Sequence, residues 1–227
     1  MFAQGALLAP CFSDFRPSRR NRLGSQLRRR LPAKSRRSTH ADGSLTIWVL
    51  ERRRIRMKSH RIRLREHVLS DADRFCELQM SSCVARYVSW LPRTRQQCEK
   101  ALTDAIAQQS SAERVRFFYA VEFQHVAGMI GSVGYTVRDL GLADCGWFLL
   151  PAFWGEGYAV VAVRELLLRA FGSGGIVSMA ASCSVENRAS VRVAEKCGFH
   201  LIAEIHGRAH FEIRLEDAHE LALHGPD

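Results

Sequence analysis

Between Pro151 and Tyr158 the chain passes from strand-forming residues straight into a strongly apolar helix, and that junction restricts the fold more than any other feature. Asp144–Leu150 reads as a strand that Pro151 stops, because proline has no amide to give to a ladder. Gly155-Glu156-Gly157 makes the turn, and Tyr158–Phe171 follows with apolar side chains on nearly every face. A helix of that kind has to be covered on more than one side. Gly172–Gly175 breaks it and Ile176–Ser184 reads as the next strand. A strand–helix–strand unit with an apolar helix belongs on a sheet, which makes the chain α/β or α+β rather than all-helical.

The rest of the chain reads consistently with this. His60–Arg65 alternates Ile62 and Leu64 with basic residues, the period of a half-buried strand. Ser70-x-x-Asp73 has the form of a capping box, with Phe75, Cys76 and Leu78 on the buried side of the helix it opens. Val84–Trp90 reads as a short helix ended by Pro92. Thr94-x-x-Gln97 is a second capping box, followed by the stripe Cys98, Ala101, Leu102, Ala105 and Ile106 of an amphipathic helix. Phe117–Phe123 and Val126–Tyr135 then read as a hairpin turning at Gln124-His125, with Gly128, Gly131 and Gly134 marking bulges or close backbone approach. After a polar loop, Arg138–Gly141, and the unit above, Asn187 starts a last helix and Gly198 ends it. The order βαα-ββ-β-α-β-α-β describes a mixed sheet with helices on its faces.

Charge divides the chain in two. Of 33 Lys and Arg, 15 fall in residues 1–58 against three acids, whereas the remainder carries 18 basic and 20 acidic residues. The basic arm, about residues 1–56, interleaves Arg16, Arg19, Arg20, Arg22, Arg28-Arg29-Arg30 and Arg36-Arg37 with Ser, Pro and Gly, and is expected to be disordered. Three readings of it stand open: a ribosome- or nucleic-acid-contacting tail through residues 16–37, an organellar transit peptide, or an extension absent from the natural product. The last is favoured by Met57-Lys58, which directly precedes the first strand. The seven cysteines form no C-x-x-C pair and are odd in number, which points to a reducing cytoplasm. Apolar runs such as Ile47–Leu50 fall far short of the about 20 residues a bilayer span requires. Ala6–Ala9 precedes the arginines, the reverse of a secretory signal.

Two constellations carry chemistry. In Trp154-Gly155-Glu156-Gly157-Tyr158-Ala159 a glycine turn opens onto a helix N-terminus, a seat for phosphate or pyrophosphate; an ordinary strand–helix connection is the bland alternative. The segment lacks the Gly-Lys-Ser/Thr of a Walker loop and the three-glycine dinucleotide fingerprint. Some thirty residues on, Asn187 caps a helix with Ser190 one turn in, both facing the same mouth. The His206/His210 pair has no evident third partner and is not read as a metal site. Phe117, Phe118 and Trp147 read as core.

Together these segments resemble the GCN5-related N-acetyltransferase (GNAT) superfamily, and within it the RimJ/RimL-like ribosomal-protein acetyltransferases, over about residues 57–224. The signature Q/R-x-x-G-x-G/A falls on Trp154-x-x-Gly157-x-Ala159, and N-x-x-S followed by E-K-x-G-F falls on Asn187, Ser190, Glu195, Lys196, Gly198 and Phe199. Gly146-Trp147, Val84-Ala85-Arg86-Tyr87 and the helix start Asp71-Ala72-Asp73 are similar to that group as well. The resemblance implies a mixed, mostly antiparallel sheet that splits at the cofactor site. It implies acetyl-CoA as co-substrate, with Phe148, Leu149 and Leu150 and the amides of Trp154, Gly155, Glu156, Gly157, Tyr158 and Ala159 on the cofactor side. Asn187 would orient pantetheine or acceptor, and Ser190 would hydrogen-bond or protonate the departing thiolate. A carboxylate base is needed; Asp144 is the candidate, with a solvated strand-edge acid as its plain alternative and Glu186 and Glu122 in reserve. One departure is Val160-Val161, where relatives carry Thr-Glu.

The function this implies is N-acetyl transfer to a primary amine, a protein N-terminal amine first and a small amine or amino sugar second, by a cytoplasmic monomer or homodimer with no membrane attachment. The alternative from another class is an acetyl-CoA-binding or ribosome-associated module with little turnover.

Overall fold

In a computed structural model, which describes residues 61–88, 93–139 and 141–218, the alternation Ile62-Arg63-Leu64-Arg65 becomes strand β1 (Ile62–Glu66), its apolar members buried. Helix α1 (Ala72–Met80) and a single turn, α2 (Ser82–Ala85), follow. Helix α3 (Arg95–Gln108) opens on the expected capping box: Gln97 N donates to Thr94 Oγ1 at 3.3 Å and Thr94 N donates to Gln97 Oε1 at 2.9 Å. The stripe on α3 turns inward, with Cys98, Ala101 and Leu102 fully buried. Strands β2 (Arg116–Phe123), β3 (Met129–Asp139) and β4 (Leu142–Leu149) form an antiparallel meander. Helix α4 (Tyr158–Gly172), β5 (Ser178–Ser184), α5 (Arg188–Lys196), β6 (His200–Ile205) and β7 (Arg208–Arg214) follow. The expectations for residues 1–56, for the end of the Val84–Trp90 segment beyond residue 88 and for the last residues of the chain lie outside the described residues.

The sheet order is β1-β2-β3-β4-β5-β7-β6. One core cluster joins α4 and α5 to one face, Leu166 and Ala194 against Val133, Met179 and Phe211. A second joins α1 and α3 to the other face, Phe75, Leu78 and Leu102 against Ala120, Met129 and Leu150. Gly131 and Gly134 stand where the backbone approaches closely: a Cβ on Gly131 would overlap the Phe148 carbonyl, and one on Gly134 the Phe118 ring.

Three local expectations are corrected. Ser70 does not cap α1: a separate 3-10 turn, Leu69–Asp71, precedes the helix, and the amide before that turn, Val68 N, donates to Asp71 Oδ2 at 3.0 Å, while Ser70 stays exposed. Strand β3 begins at Met129 rather than Val126, since the turn lengthens to reach Gly128 at φ +76°. The C-terminal region is a full hairpin, β6–β7, with His206 and Gly207 at its tip.

Asp71 carries more than that turn. It is 1% exposed and receives both Arg65 nitrogens, Nη2 at 2.6 Å and Nη1 at 2.7 Å. His67 Nδ1 lies 3.5 Å from it, an ionic-range contact rather than a hydrogen bond, and His67 Nε2 meets Ser132 Oγ at 3.0 Å. Burial alone would raise the Asp71 carboxyl, but Arg65, His67 and the Val68 amide outweigh it and hold the group well below the usual carboxylate range. The stability from this site is therefore fully present above about pH 4 and is lost as acid protonates it. Asp71→Ala removes the buried carboxylate that Arg65 and His67 share and is expected to cost about 3 kcal/mol in a urea melt at pH 7; a cost below about 1 kcal/mol would contradict this reading.

Candidate active site

The central feature is the end of one ladder. β4 and β5 are parallel neighbours, but they pair only through Leu142, Ala143 and Asp144 against Ser178, Met179 and Ala180. Past the Asp144–Ala180 row the strands part, leaving a fork whose closed end is Asp144 and whose mouth lies at the strands' C-terminal ends. Both helices that follow these strands start at this mouth.

The β4 arm ends in a tethered loop. Leu150 N donates to Ile130 O at 2.9 Å, Pro151–Phe153 makes one tight turn, and the Trp154 indole donates to Leu149 O at 2.7 Å. Gly155 and Gly157 adopt φ +76° and +81°, which glycine tolerates without cost, and a Cβ at either would meet no atom within 4 Å. The loop is thus open on its ligand side rather than packed shut. The first-turn amides of Ala159 and Val160 have no intrahelical acceptor and add to the positive end of the α4 dipole. These features fit the diphosphate of a coenzyme A. The side chains of Leu149 and Leu150 are instead committed to the core, so this stretch offers a ligand only its backbone edge toward the fork.

On the β5 arm, Asn187 Oδ1 accepts from Ser190 N at 3.1 Å, a side-chain N-cap that leaves the Asn187 amide NH2 for a ligand. The far end of α5 closes in a Schellman motif: Phe199 N donates to Ala194 O and Gly198 N to Glu195 O, both at 3.0 Å, with Gly198 at φ +82°. That end rests on the first turn of α4, where Cys197 Sγ donates to Val160 O at 3.6 Å and Arg164 Nη2 to Lys196 O at 2.8 Å. The two constellations therefore stand at opposite ends of α5, roughly 14 Å apart at 1.5 Å per residue, a spacing for one extended ligand rather than a single converging pocket. Val160 and Val161 are buried, so the departure from Thr-Glu is absorbed by core packing.

Asp144 sits at the apex on the face opposite α4, its side chain 11% exposed. It ion-pairs with Arg138, while its Oδ1 is buried with no hydrogen-bond partner. Burial pushes the carboxyl up to about 6, outweighing the attraction of Arg138. No hydrogen bond joins Asp144 to Ser190 among the described residues. Of the reserve carboxylates, Glu122 is held by Arg65 and Arg63, which lower it, and Glu186 is exposed.

Three groups escaped the sequence reading. Arg138 reaches Asp144 because the β3–β4 register shifts between Val137 and Asp139, an irregularity that spacing does not announce. The Arg65–Asp71–His67–Ser132 network joins residues from three separate elements. Arg208, at the start of β7, reaches β5, where Nη2 donates to Ser182 Oγ at 3.0 Å. Among the described residues no group of three His, Cys, Asp or Glu is placed to hold a metal, and no helix is long and apolar enough to cross a membrane.

With this fork and its two helix starts in place, the chain matches the acetyltransferase (GNAT) domain family over residues 61–200. It belongs to that family and is an acyltransferase with acetyl-CoA as its co-substrate. It is 36% identical over 73 residues to the uncharacterized protein YkkB of Bacillus subtilis (strain 168), a match spanning 32% of this chain and 42% of that protein. It is 26% identical over 143 residues to the uncharacterized N-acetyltransferase p20 of Bacillus licheniformis, covering 62% of this chain and 80% of that one. In fold it is similar to RimL, the ribosomal L7/L12 alpha-N-protein acetyltransferase solved with coenzyme A, at TM-score 0.60 and 17% identity over 69% of this chain and 96% of RimL.

Proposed function

We propose that the chain from about residue 57 is a RimJ/RimL-like N-acetyltransferase acting on a primary amine, with a protein N-terminal α-amine as first candidate. The observation that carries this is the parting of β4 and β5 just past Asp144, with a glycine-opened helix start on one arm and an Asn-capped one on the other. Acetyl-CoA supplies an acetyl thioester activated toward amines. The amides of the Trp154–Ala159 loop bind its diphosphate, and Asn187 orients the arm that leads into the fork. Asp144, ionised above about pH 6, takes the proton that the attacking amine must lose, directly or through a water. The new N–C bond forms as the C–S bond breaks, and Ser190 hydrogen-bonds or protonates the thiolate that leaves. The scattered cysteines, with no C-x-x-C pair, support a reducing cytoplasm, and the basic arm is a candidate for ribosome contact.

Calorimetric titration with acetyl-CoA followed by a free-thiol assay over a panel of peptide, polyamine and amino-sugar acceptors tests this. Amine-dependent thiol release supports it. Tight binding with no release from any amine would instead favour a coenzyme-binding module without turnover.

A further inference from the structure

On the sheet face that carries Asp144, helices α1 and α3 cover β2 to β4, and no helix among the described residues lies over β5 and β7. Toward the mouth this face presents Gly146 and Phe148 on β4, Ser182 and Ser184 on β5, and Arg208 and His210 on β7, as the strand register dictates. Among the described residues, the permanent charge in this half of the face is the Arg208 guanidinium.

We propose that Arg208 sets acceptor specificity by receiving a carboxylate that lies next to the amine being acetylated; this rests on the acetyl-transfer reading above. Arg208 opens β7 opposite Ser184, and the hairpin tip before it is fastened to the β5–α5 turn by Val185 N donating to Gly207 O at 3.0 Å. The residue therefore belongs to the mouth of the fork. Its Nη2 is oriented from β5 by Ser182, at 3.0 Å from Oγ and 3.4 Å from the carbonyl. Its Nε is buried and has no hydrogen-bond partner. The other arginines of this face near the fork are neutralised, Arg138 by Asp144 and Arg214 by Glu212 at 3.3 Å. No carboxylate among the described residues pairs with Arg208. Burial and the Arg208 charge lower the neighbouring His210, so His210 adds no competing cation at neutral pH. A planar guanidinium fixed by Ser182 at the mouth of the fork, without a carboxylate partner among the described residues, matches an incoming carboxylate in charge and shape.

The test uses the full chain and acceptor pairs differing only in that carboxylate: a short peptide amide with Asp at the second position against its Asn counterpart, and a free α-amino acid against its amide. Thiol release should give the carboxylate-bearing member of at least one pair about a tenfold or greater advantage in kcat/KM, expressed mainly in KM. The responding pair tells a side-chain carboxylate from an α-carboxylate. R208Q should bring the favoured member down to its neutral counterpart and R208E should invert the preference, with acetyl-CoA affinity as in the unsubstituted chain and R208K intermediate. Equal rates within both pairs, or a preference that survives in R208Q, would overturn the proposal while leaving acetyl transfer standing. Absence of thiol release with every amine defeats both.

Discussion

Asp144→Asn is expected to lower kcat by about 10²- to 10³-fold and, at pH 7.5, to make the fold more stable by about 2 kcal/mol. Both effects come from one cause. The carboxyl is buried at the apex with Oδ1 unpartnered, and burial lifts it to about 6, above its ordinary 3.8. A carboxyl raised in the folded state contributes stability below the unfolded value and loses it as pH rises through the folded one, so the ionised form costs stability at neutral pH. Asn keeps the shape and removes the charge. Urea melts should show the gain at pH 7.5 and its disappearance at pH 4, while the acid limb of the wild-type rate profile near pH 6 should vanish in the variant. A residue retained at a stability cost fits a proton acceptor poised near working pH. Wild-type kcat in Asp144→Asn would remove it from the chemistry.

Gly157→Val should weaken acetyl-CoA binding by at least about 100-fold while the melting temperature falls only a few degrees. The residue is held at φ +81°, a conformation that costs a side-chain-bearing residue about 1–2 kcal/mol, more when it is β-branched. No atom lies within 4 Å of the added Cβ, so the core is not disturbed. What is lost is the left-handed turn that aims the loop and the first amides of α4 at a single anion, together with the open face the ligand would occupy. Titration calorimetry beside a thermal melt separates the two effects; affinity within threefold of wild type would show that the diphosphate is held elsewhere.

Where structure is decided within a few residues, it was legible in the sequence. Thr94 and Gln97 satisfy each other's amides, the α3 stripe buries, Asn187 caps, and Gly198 takes the left-handed position that closes α5. Placing a glycine turn and a helix start after a strand stopped by Pro151 needs only that local grammar. Where the outcome depends on a distant partner, it was not. Ser70-x-x-Asp73 has the form of a capping box in isolation, but the chain makes an extra turn there around Asp71, which Arg65 arriving from β1 holds. The fork itself is a three-residue ladder that ends, and strand pairing of that length leaves no mark in either strand alone. The partners of Asp144 and of Ser182 follow from a bulge and a hairpin turn, so Arg138 and Arg208 emerged only from the tertiary arrangement.

The account stands on one claim, that the mouth of the fork grips coenzyme A through backbone amides on the β4 arm and the Asn187 side chain on the β5 arm. Amide hydrogen exchange with and without coenzyme A measures it residue by residue. The prediction is strong added protection in two separated segments, Gly155–Val160 and Asn187–Ser190, with weaker change along Cys145–Leu149 of β4 and little on β1 or α3. Protection confined to one arm, or appearing away from the fork altogether, would contradict it.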